Sequence, residues 1–186
     1  MTDMNRTIEL TPAGPHDAAL VASLHARSWQ HAYRGILPDG YLEHEAPAQR
    51  LRTWHARLVE GAEAPLEVTL ARVDGEPAGF SCLQPQAEPA FGIYLDNLHV
   101  MPQWHGTGVG KRLLAACARR VATGWPGQPL FLYVLDANAQ AREFYRRLGG
   151  AESEPFEDPF PGAGLIVTVR RVSWGDVGAL LARLGG

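Results

Sequence analysis

The spacing of hydrophobic and polar positions changes several times along the chain. Residues 7–11 alternate between apolar and polar, which predicts a short first strand. A helix is then predicted from near Asp17 to the residues before Gly35, because apolar side chains recur every three or four positions. A second predicted helix begins near Pro47, a residue type favoured in the first helical turn, and ends before Gly61.

The next part of the chain has the period of strands. The runs 66–73 and 78–83 are joined by Asp74-Gly75, a two-residue signal for a tight hairpin turn. A third run, 91–100, leads into a glycine-rich stretch. The continuous apolar run 130–135 is typical of a buried central strand.

Helical and strand-like segments also alternate in the C-terminal half. Helical spacing predicts helices at about 107–122 and 136–149 and a short terminal helix at 176–184. The segment 152–164 is acidic and reads as loop, and 165–172 reads as a last strand. This order of elements predicts an α+β or mixed α/β fold rather than regular βα repeats.

Length and composition limit the architecture. A chain of 186 residues fits one domain over 1–186, with a core at about 7–174 and a short extension at 175–186. Hydrophobic and charged contents of 46% and 20% are typical of soluble globular proteins. A net charge of -3 gives no general attraction to nucleic acid, so we expect no nucleic-acid partner.

Cysteine, histidine and apolar patterns restrict the function classes further. Cys82 and Cys117 lie far apart, and none of the seven histidines has zinc-ligand spacing, so no metal is expected. Residues 1–10 lack the apolar core of a signal peptide, and no run of about 18 apolar residues occurs. We therefore expect a cytoplasmic protein without a membrane partner, as a monomer or a homodimer. Four histidines of the predicted helical region are expected on the surface or on helix faces: His25, His31, His44 and His55.

A glycine-rich turn lies between a predicted strand and a predicted helix. Residues 100–114 read Val-Met-Pro-Gln-Trp-His-Gly-Thr-Gly-Val-Gly-Lys-Arg-Leu-Leu. Glycine adopts backbone conformations that other residues avoid and lets a ligand approach the main chain. The first turn of a helix has unpaired N–H groups and the positive end of the helix dipole. We therefore expect a diphosphate to bind here.

Two familiar phosphate-binding patterns do not fit this turn. A Walker A loop needs glycine five positions before the Gly-Lys pair, where this chain has His105, and Ser or Thr after it, where it has Arg112. A dinucleotide fingerprint needs glycine three positions after Gly108, where this chain has Lys111. A plain connecting loop is the remaining structural alternative.

A third pattern fits better. The turn resembles the acetyl-CoA-binding motif of the GNAT superfamily of N-acetyltransferases, [Arg or Gln]-x-x-Gly-x-[Gly or Ala], which falls on His105, Gly108 and Gly110. His105 departs from the usual Arg or Gln, which weakens the match, but the family holds the pyrophosphate largely through main-chain N–H groups. The resemblance implies that the following residues bind acetyl-CoA: His105, Gly106, Thr107, Gly108, Val109, Gly110 and Lys111.

Two further segments carry the resemblance. Residues 29–38 look like a stretch that recurs among bacterial members. The helix at 136–149 matches the pattern Asn-x-x-Ala-x-x-Phe-Tyr-x-x-Leu-Gly from Asn138 to Gly149, with Gly150 where the family usually has Phe. The resemblance implies the GNAT fold, a central, mostly antiparallel twisted sheet of about seven strands flanked by about four helices.

The resemblance also implies roles for residues around the turn. The pantetheine arm lies along the strand before the turn, so the main chain of Leu98, His99 and Val100 is expected to bind it. Asn138 is expected to contact the cofactor, and the Tyr145 hydroxyl to give a proton to the departing CoA thiolate. Packing in the core is the alternative for these side chains.

Attack by an amine needs a base, because an ammonium group has no lone pair. Family members often place an acid or a histidine four or six residues before the position of Val100, which selects Asp96 and Tyr94. Strand alternation puts Tyr94, Asp96 and Leu98 on one face and His99 on the other, unless a bulge intervenes. Asp96 is the first candidate, acting through water, and Tyr94, His99 or solvent alone are the alternatives.

The acceptor is less defined. Trp29, Tyr33 and Asp158 come from regions that flank the acceptor site in such folds, and could form an aromatic and acidic pocket for a cationic amine. The predicted function is acetyl-CoA-dependent N-acetyl transfer, directly to the primary amine of a small molecule or peptide. The alternative is a non-catalytic CoA-binding sensor or protein-interaction domain of the same fold.

Overall fold

The strands of this protein form one mixed sheet. The computed structural model describes residues 6–185, so the ends of the predicted domain, 1–5 and 186, lie outside the described residues. The strands are β1 (Ile8–Pro12), β2 (Glu67–Val73), β3 (Glu76–Gln84), β4 (Ile93–Val100), β5 (Leu130–Leu135), β6 (Ala151–Glu152), β7 (Phe156–Phe160) and β8 (Leu165–Trp174). Their order is β1-β2-β3-β4-β5-β8-β6, and β7 also pairs with β8. Within the described chain, β4 and β5 are the parallel pair, and the other pairs are antiparallel.

Helices cover both faces of the sheet. They are α1 (Ala18–Ala32), α2 (Ala46–His55), α3 (Val109–Gly124), α4 (Ala139–Arg147) and α5 (Val177–Leu184). π-Helical turns, Tyr41–Glu45 and Ala56–Gly61, extend α2 at its two ends. One apolar cluster joins α3, α4 and α5 to the sheet, and others join α1 and α2 to its opposite side. We call these two sides the α3 face and the α1 face.

The predicted mixed α+β architecture with a mostly antiparallel sheet is confirmed, with eight strands and five α-helices over residues 6–185. The expectation for 152–164 was wrong, because this segment contains β7 where a loop was predicted. Four of its five residues are exposed on an outer strand. Such a strand needs no alternation of apolar and polar residues, so the sequence pattern does not reveal it.

The predicted hairpin turn forms between β2 and β3. Asp74 and Gly75 both have positive φ angles, 50° and 84°, as the two central residues of a type I′ turn require. Pro77 lies inside β3, next to a register shift opposite Ala71 and Arg72. A bulge is one of the places where a strand tolerates a residue without an N–H group.

A second bulge, in β4, changes which side chains face the site. Leu83 of β3 pairs with Leu95 and Cys82 with Asn97, so Asp96 is an extra residue in the ladder. The bulge resets the alternation of side chains beyond Asp96. His99 therefore lies on the α1 face with Asp96, whereas Leu98 packs on the α3 face. Simple alternation, which placed Leu98 beside Asp96, therefore fails here, and the exception stated for a bulge applies.

One of the four helical histidines is a core residue. His25 is 1% exposed, and its Nδ1 accepts a hydrogen bond of 2.9 Å from Nε1 of Trp54. The surface prediction for His25 was wrong, because it lies one helical turn before the buried Trp29 on the inner stripe of α1. The other three, His31, His44 and His55, are exposed.

The C-terminal helix completes the α3 face. Val177 and Leu180 of α5 are buried in the apolar cluster that contains Leu114 of α3. Trp174 donates from Nε1 to the carbonyl of Leu148 at 3.0 Å, which joins β8 to the end of α4. No helix within residues 6–185 combines the length and apolar character needed to cross a lipid bilayer.

Candidate active site

A wedge opens between β4 and β5 near the middle of the sheet. In the described chain, β4 and β5 pair at two positions, Ile93 with Leu130 and Tyr94 with Phe131. Both strands continue beyond these pairs. A cavity of about 440 Å³ occupies the wedge. The edges of the two strands therefore diverge and leave main-chain groups without a ladder partner.

The cavity reaches from the glycine turn to both faces of the sheet. Its walls come from α1, from the facing parts of β4 and β5, from the glycine turn, and from α4. The residues of the predicted strand end and turn that line it are Leu98, His99, Val100, His105, Gly106, Gly108, Gly110 and Lys111. Of the predicted cofactor-binding residues in the turn, Thr107 and Val109 do not line this cavity. Val109 is buried, and the Thr107 hydroxyl donates to the carbonyl of Trp104 at 2.7 Å.

The glycine turn presents the start of α3 to the cavity. Gly106 and Gly108 have φ angles of 76° and 92°, in the left-handed region that favours glycine. Gly108 is the N-cap residue of α3, and its carbonyl accepts the first helical bond, from Arg112, at 3.0 Å. The N–H groups of the first helical turn have no acceptor within the helix. They form, with the helix dipole, a site for an anion.

His105 anchors the turn to the end of β4. Its Nε2 lies 2.9 Å from the carbonyl oxygen of Val100. Since a carbonyl oxygen can only accept, Nε2 carries the proton and donates. The imidazole that stands where Arg or Gln was expected thus bonds to the main chain, and it holds the strand end against the turn.

Trp104 adds a donor that sequence reasoning missed. It lines the cavity, and its indole Nε1 is buried without a hydrogen-bond partner within the described residues. A buried N–H group without an acceptor is costly, so this group is suited to a ligand oxygen. In the sequence, the signal for this donor was the presence of a tryptophan in an otherwise polar, glycine-rich turn.

Asn138 and Tyr145 lie where α4 borders the cavity. Asn138 caps α4, because its Oδ1 accepts a hydrogen bond of 3.2 Å from the N–H of Ala141. Asn138 and Tyr145 both line the cavity. Tyr145 is buried, and its ring packs edge-on against Trp174 with centroids 5.8 Å apart. Burial raises the pKa of the Tyr145 hydroxyl above its ordinary value, so it stays protonated.

Gly150 has a steric explanation. A Cβ at this position would lie 2.5 Å from Cγ1 of Val172 and 3.0 Å from the ring of Trp174. These β8 side chains occupy the space that a Phe at 150 would need. The departure from the family pattern is therefore matched by local packing in this chain.

Asp96 lies in the cavity wall as half of an ion pair. Its Oδ2 accepts from Nη1 of Arg57 at 2.7 Å and from Nε2 of Gln84 at 3.1 Å, and the side chain is 18% exposed. Arg57 and Gln84 both bind Oδ2, and neither engages Oδ1. Arg57 and Gln84 were not selected from the sequence, because they lie far from Asp96 along the chain.

Tyr94 and His99 are the other candidates for the base. Burial and the Asp96 carboxylate raise the pKa of Tyr94 well above its ordinary value, which makes it a poor base near neutral pH. His99 lines the cavity, and its Nδ1 lies 2.9 Å from Oγ of Ser28. Burial lowers the pKa of His99 to about 4, so its imidazole is neutral at pH 7.

The three predicted acceptor residues have different positions. Tyr33 lines the cavity, and burial raises its pKa to about 12. Trp29 is 5% exposed and does not line the cavity, because its ring packs on Phe160 with centroids 4.8 Å apart. Asp158 is exposed on β7, where it pairs with Val167, and it also lies outside the cavity wall.

The sequence of this chain is similar to those of known acetyltransferases. A model of the acetyltransferase (GNAT) family matches residues 26–150, which run from α1 to the end of α4. A probable N-acetyltransferase of Mycobacterium tuberculosis is 26% identical over 140 residues, 75% of this chain and 78% of that protein.

Solved structures share the fold. The PaiA N-acetyltransferase from Thermoplasma acidophilum, in complex with coenzyme A, has a TM-score of 0.68 at 18% identity and covers 90% of this chain and 99% of its own. YncA from Salmonella typhimurium, with its cofactor acetyl-CoA, has a TM-score of 0.62 at 16% identity, with coverage of 90% and 93%. Both matches extend over nearly the whole chain.

Proposed function

This chain belongs to the acetyltransferase (GNAT) family and is an acyltransferase, and from that premise we propose that it transfers an acetyl group from acetyl-CoA directly to a primary amine. The acceptor is a small molecule or a peptide. The observation that carries the proposal is the wedge between β4 and β5, which opens beside the glycine turn at the start of α3.

The residues present fit a CoA thioester. The two left-handed glycines have no atom within 4 Å of a hypothetical Cβ, so a ligand can approach the main chain closely. The first N–H groups of α3 are suited to the pyrophosphate. The diverging edges of β4 and β5 offer main-chain groups to an extended arm, in the manner of an added strand. Bound acetyl-CoA supplies an activated acyl group at its thioester.

Asp96 and Tyr145 are proposed to handle the protons. Oδ1 of Asp96 accepts a proton from the amine, directly or through water, while Arg57 and Gln84 hold Oδ2. Tyr145 keeps its proton because burial raises its pKa, so the hydroxyl still carries a proton when the thiolate leaves, and we propose that it donates this proton to the sulfur. A main-chain N–H of β4 would stabilise the charge that develops on the carbonyl oxygen.

Direct transfer is supported by the state of the two cysteines. Cys82 and Cys117 are buried, and neither lines the cavity. Burial raises the pKa of Cys117 to about 11 and that of Cys82 further. A thiol with a raised pKa is a poor nucleophile near neutral pH, so a covalent acetyl-cysteine intermediate is not part of the proposal.

The proposal is tested by release of free CoA thiol in the presence of amines, polyamines, amino acids and peptides. We expect one acceptor class to give release above the rate of hydrolysis, together with a product that mass spectrometry shows to be heavier by one acetyl group less the hydrogen that it replaces. Calorimetric binding of acetyl-CoA without release for any acceptor would support the non-catalytic sensor instead. Absence of binding would contradict both functions.

A further inference from the structure

A serine and a histidine form a hydrogen bond in the wall of the cavity, on the α1 face. Oγ of Ser28 on α1 lies 2.9 Å from Nδ1 of His99 on β4, and both residues line the cavity. Ser28 is 6% exposed, so little water competes for this hydrogen bond. The proton transfers proposed for Asp96 and Tyr145 do not use this pair.

The surroundings of Ser28 decide which atom of the pair donates. A serine or threonine inside a helix often donates to the carbonyl oxygen four residues earlier. Thr53 and Thr123 do so, each at 3.0 Å, whereas in the described chain the hydroxyl of Ser28 is bonded to His99. A hydroxyl that accepted from Nδ1 would leave its own proton without an acceptor in a nearly closed site. Ser28 therefore donates, and Nδ1 of His99 accepts.

The imidazole of His99 is neutral near pH 7. Burial, and after it the charge of Arg50, lowers the pKa of His99 to about 4. Two rings pack against it, with centroids 4.7 Å away for His25 and 5.4 Å away for Phe80. A neutral imidazole carries one proton, and because Nδ1 accepts from Ser28, this proton is on Nε2.

Nε2 is the nitrogen of His99 that remains for a ligand. In the described chain, the buried side-chain nitrogens without a hydrogen-bond partner belong to His25, Arg50 and Trp104, and Nε2 of His99 is not among them. His99 lines the cavity, and its other nitrogen is held by Ser28. The α1 side of the cavity thus has a neutral N–H donor whose tautomer is set by a neighbouring hydroxyl.

The proposed base and acid border the same cavity, Asp96 from β4 and Tyr145 from α4. A thioester that meets an amine at Asp96 and loses its thiolate at Tyr145 has its carbonyl group between these two residues. We propose that Nε2–H of His99 donates a hydrogen bond to the thioester carbonyl oxygen, and that Ser28 is the positioning residue that holds this tautomer. This role rests on the proposed function and adds a side-chain donor to the main-chain N–H of β4.

The reaction step balances without a further reagent. The lone pair of the amine forms the N–C bond, and an electron pair of the carbonyl group moves to the oxygen that His99 binds. When this pair returns, the C–S bond breaks, Asp96 takes the proton of the nitrogen, and Tyr145 gives a proton to the sulfur. His99 keeps its proton throughout. A neutral imidazole can polarise a carbonyl group in this way, and it does not repel an incoming ammonium group as an imidazolium would.

The tautomer is tested in the unliganded protein by nitrogen-15 NMR of the imidazole side chains. At pH 7, His99 should have no proton on Nδ1 and one proton on Nε2. His99→Gln assigns the signal, because it removes it. In Ser28→Ala both tautomers should be populated, since the donor to Nδ1 is lost. A proton on Nδ1 in the unsubstituted protein, or an unchanged tautomer in Ser28→Ala, would overturn the proposal.

The catalytic role is tested with the amine that gives the fastest release of CoA thiol. His99→Leu removes the donor, so kcat should fall about 100-fold, the usual effect of losing one donor to an oxyanion. His99→Gln keeps a neutral N–H donor and should retain kcat within about 10-fold. Ser28→Ala should lower kcat about 3- to 10-fold, because only part of the population then has its proton on Nε2. The KM of the amine should change by less than about 3-fold, because the bond strengthens in the transition state.

Ser81→Ala is the matched control for Ser28→Ala. Ser81 is also a buried serine, 1% exposed, but its oxygen accepts from Sγ of Cys117 and it does not line the cavity. Its kcat should not change. An equal loss of kcat in both serine variants, or a raised KM for the amine at constant kcat in His99→Leu, would overturn the role of His99 at the carbonyl oxygen and leave acetyl transfer intact. Absence of CoA release with every amine would contradict the proposed function, and this role with it, whatever tautomer the NMR spectra show.

Discussion

The two faces of the sheet contribute to the site in different ways. On the α3 face, the site comes from two contiguous segments, 98–111 and 138–145, with the exception of His99, which faces α1. On the α1 face, it is made of polar side chains that are distant in sequence. Ser28 meets His99 across 71 positions, and Arg57 meets Asp96 across 39. A cofactor used by many proteins can be bound by a local motif, whereas acceptor chemistry here depends on tertiary contacts.

The two faces also differ in how completely their buried groups are satisfied. The cluster on the α3 face is apolar, with side chains such as Leu114, Val121 and Leu132. The α1 face buries His25 and Arg50, each with a nitrogen lacking a partner within residues 6–185. Buried polar groups without partners reduce stability, and neither of these two residues lines the cavity.

The largest expected effect is on the α1 face. Asp96→Asn keeps the shape of the side chain and removes the base, so we expect kcat to fall about 100- to 1000-fold. The affinity for acetyl-CoA should stay within about 3-fold, as measured by calorimetry. Asp158→Asn is the control, since Asp158 is exposed on β7, and its kcat and KM should not change. A large effect at Asp158 with none at Asp96 would reverse the assignment.

Tyr145→Phe tests the acid on the α3 face. The ring keeps its packing against Trp174 and loses the hydroxyl, so kcat should fall about 10- to 100-fold with little change in the thermal midpoint. Because burial raises the pKa of Tyr145, its ionisation should cause no loss of activity below about pH 10. A rate profile over pH 6–10 measures this. An alkaline loss that disappears in Tyr145→Phe would contradict the assignment of a buried, protonated acid.

Gly108→Ala tests the main-chain site for the pyrophosphate. Gly108 has φ of 92°, so the backbone of a residue with a side chain would be strained at this position. The added methyl group would also stand at the start of α3. We expect the dissociation constant of acetyl-CoA to rise about 30-fold, which corresponds to about 2 kcal/mol. Gly127→Ala has matching strain, with φ of 81° and no atom within 4 Å of a Cβ, but lies outside the cavity wall. The two variants should lose similar stability, and a similar loss of affinity in both would show that strain alone is responsible.

The smallest expected effect concerns stability on the α1 face. The pKa of His99 is lowered to about 4 by burial, so the unfolded chain binds more protons than the folded one between about pH 4 and 6.5. Stability should therefore fall as pH decreases through this range. Urea unfolding at pH 7.5 and pH 5 should show that His99→Gln reduces this loss by about 1–2 kcal/mol. Exposed His44→Gln should not reduce it.

Local signals identified the α3 face well. The glycine spacing at 106, 108 and 110 and the helix from Asn138 to Gly149 have short-range causes, and the structure brings both segments to the wedge. A bulge in β4 was allowed for, but its position at Asp96 was not predictable, because it depends on the register against β3. That bulge places His99 and Asp96 on the same face of the sheet.

The α1 face could be predicted only in part. Tyr33 was selected and lines the cavity, but Trp29 has the same helical neighbourhood and turns toward Phe160. The direction of the Trp29 ring depends on where β7 lies, and the hydrophobic pattern of residues 152–164 does not reveal that strand. The burial of Arg50 has no sequence signal either, since an arginine on a helix is normally solvated.

Amide hydrogen exchange with and without CoA tests the central claim most directly, because the account assigns cofactor binding to main-chain N–H groups. The N–H groups of residues 108–111 and of the free edge of β4 at 98–100 should exchange more slowly with CoA bound, by about 10-fold or more at saturation. The turn at Gly127 should be unchanged. Protection confined to the α1 face, or none at residues 108–111, would contradict the account.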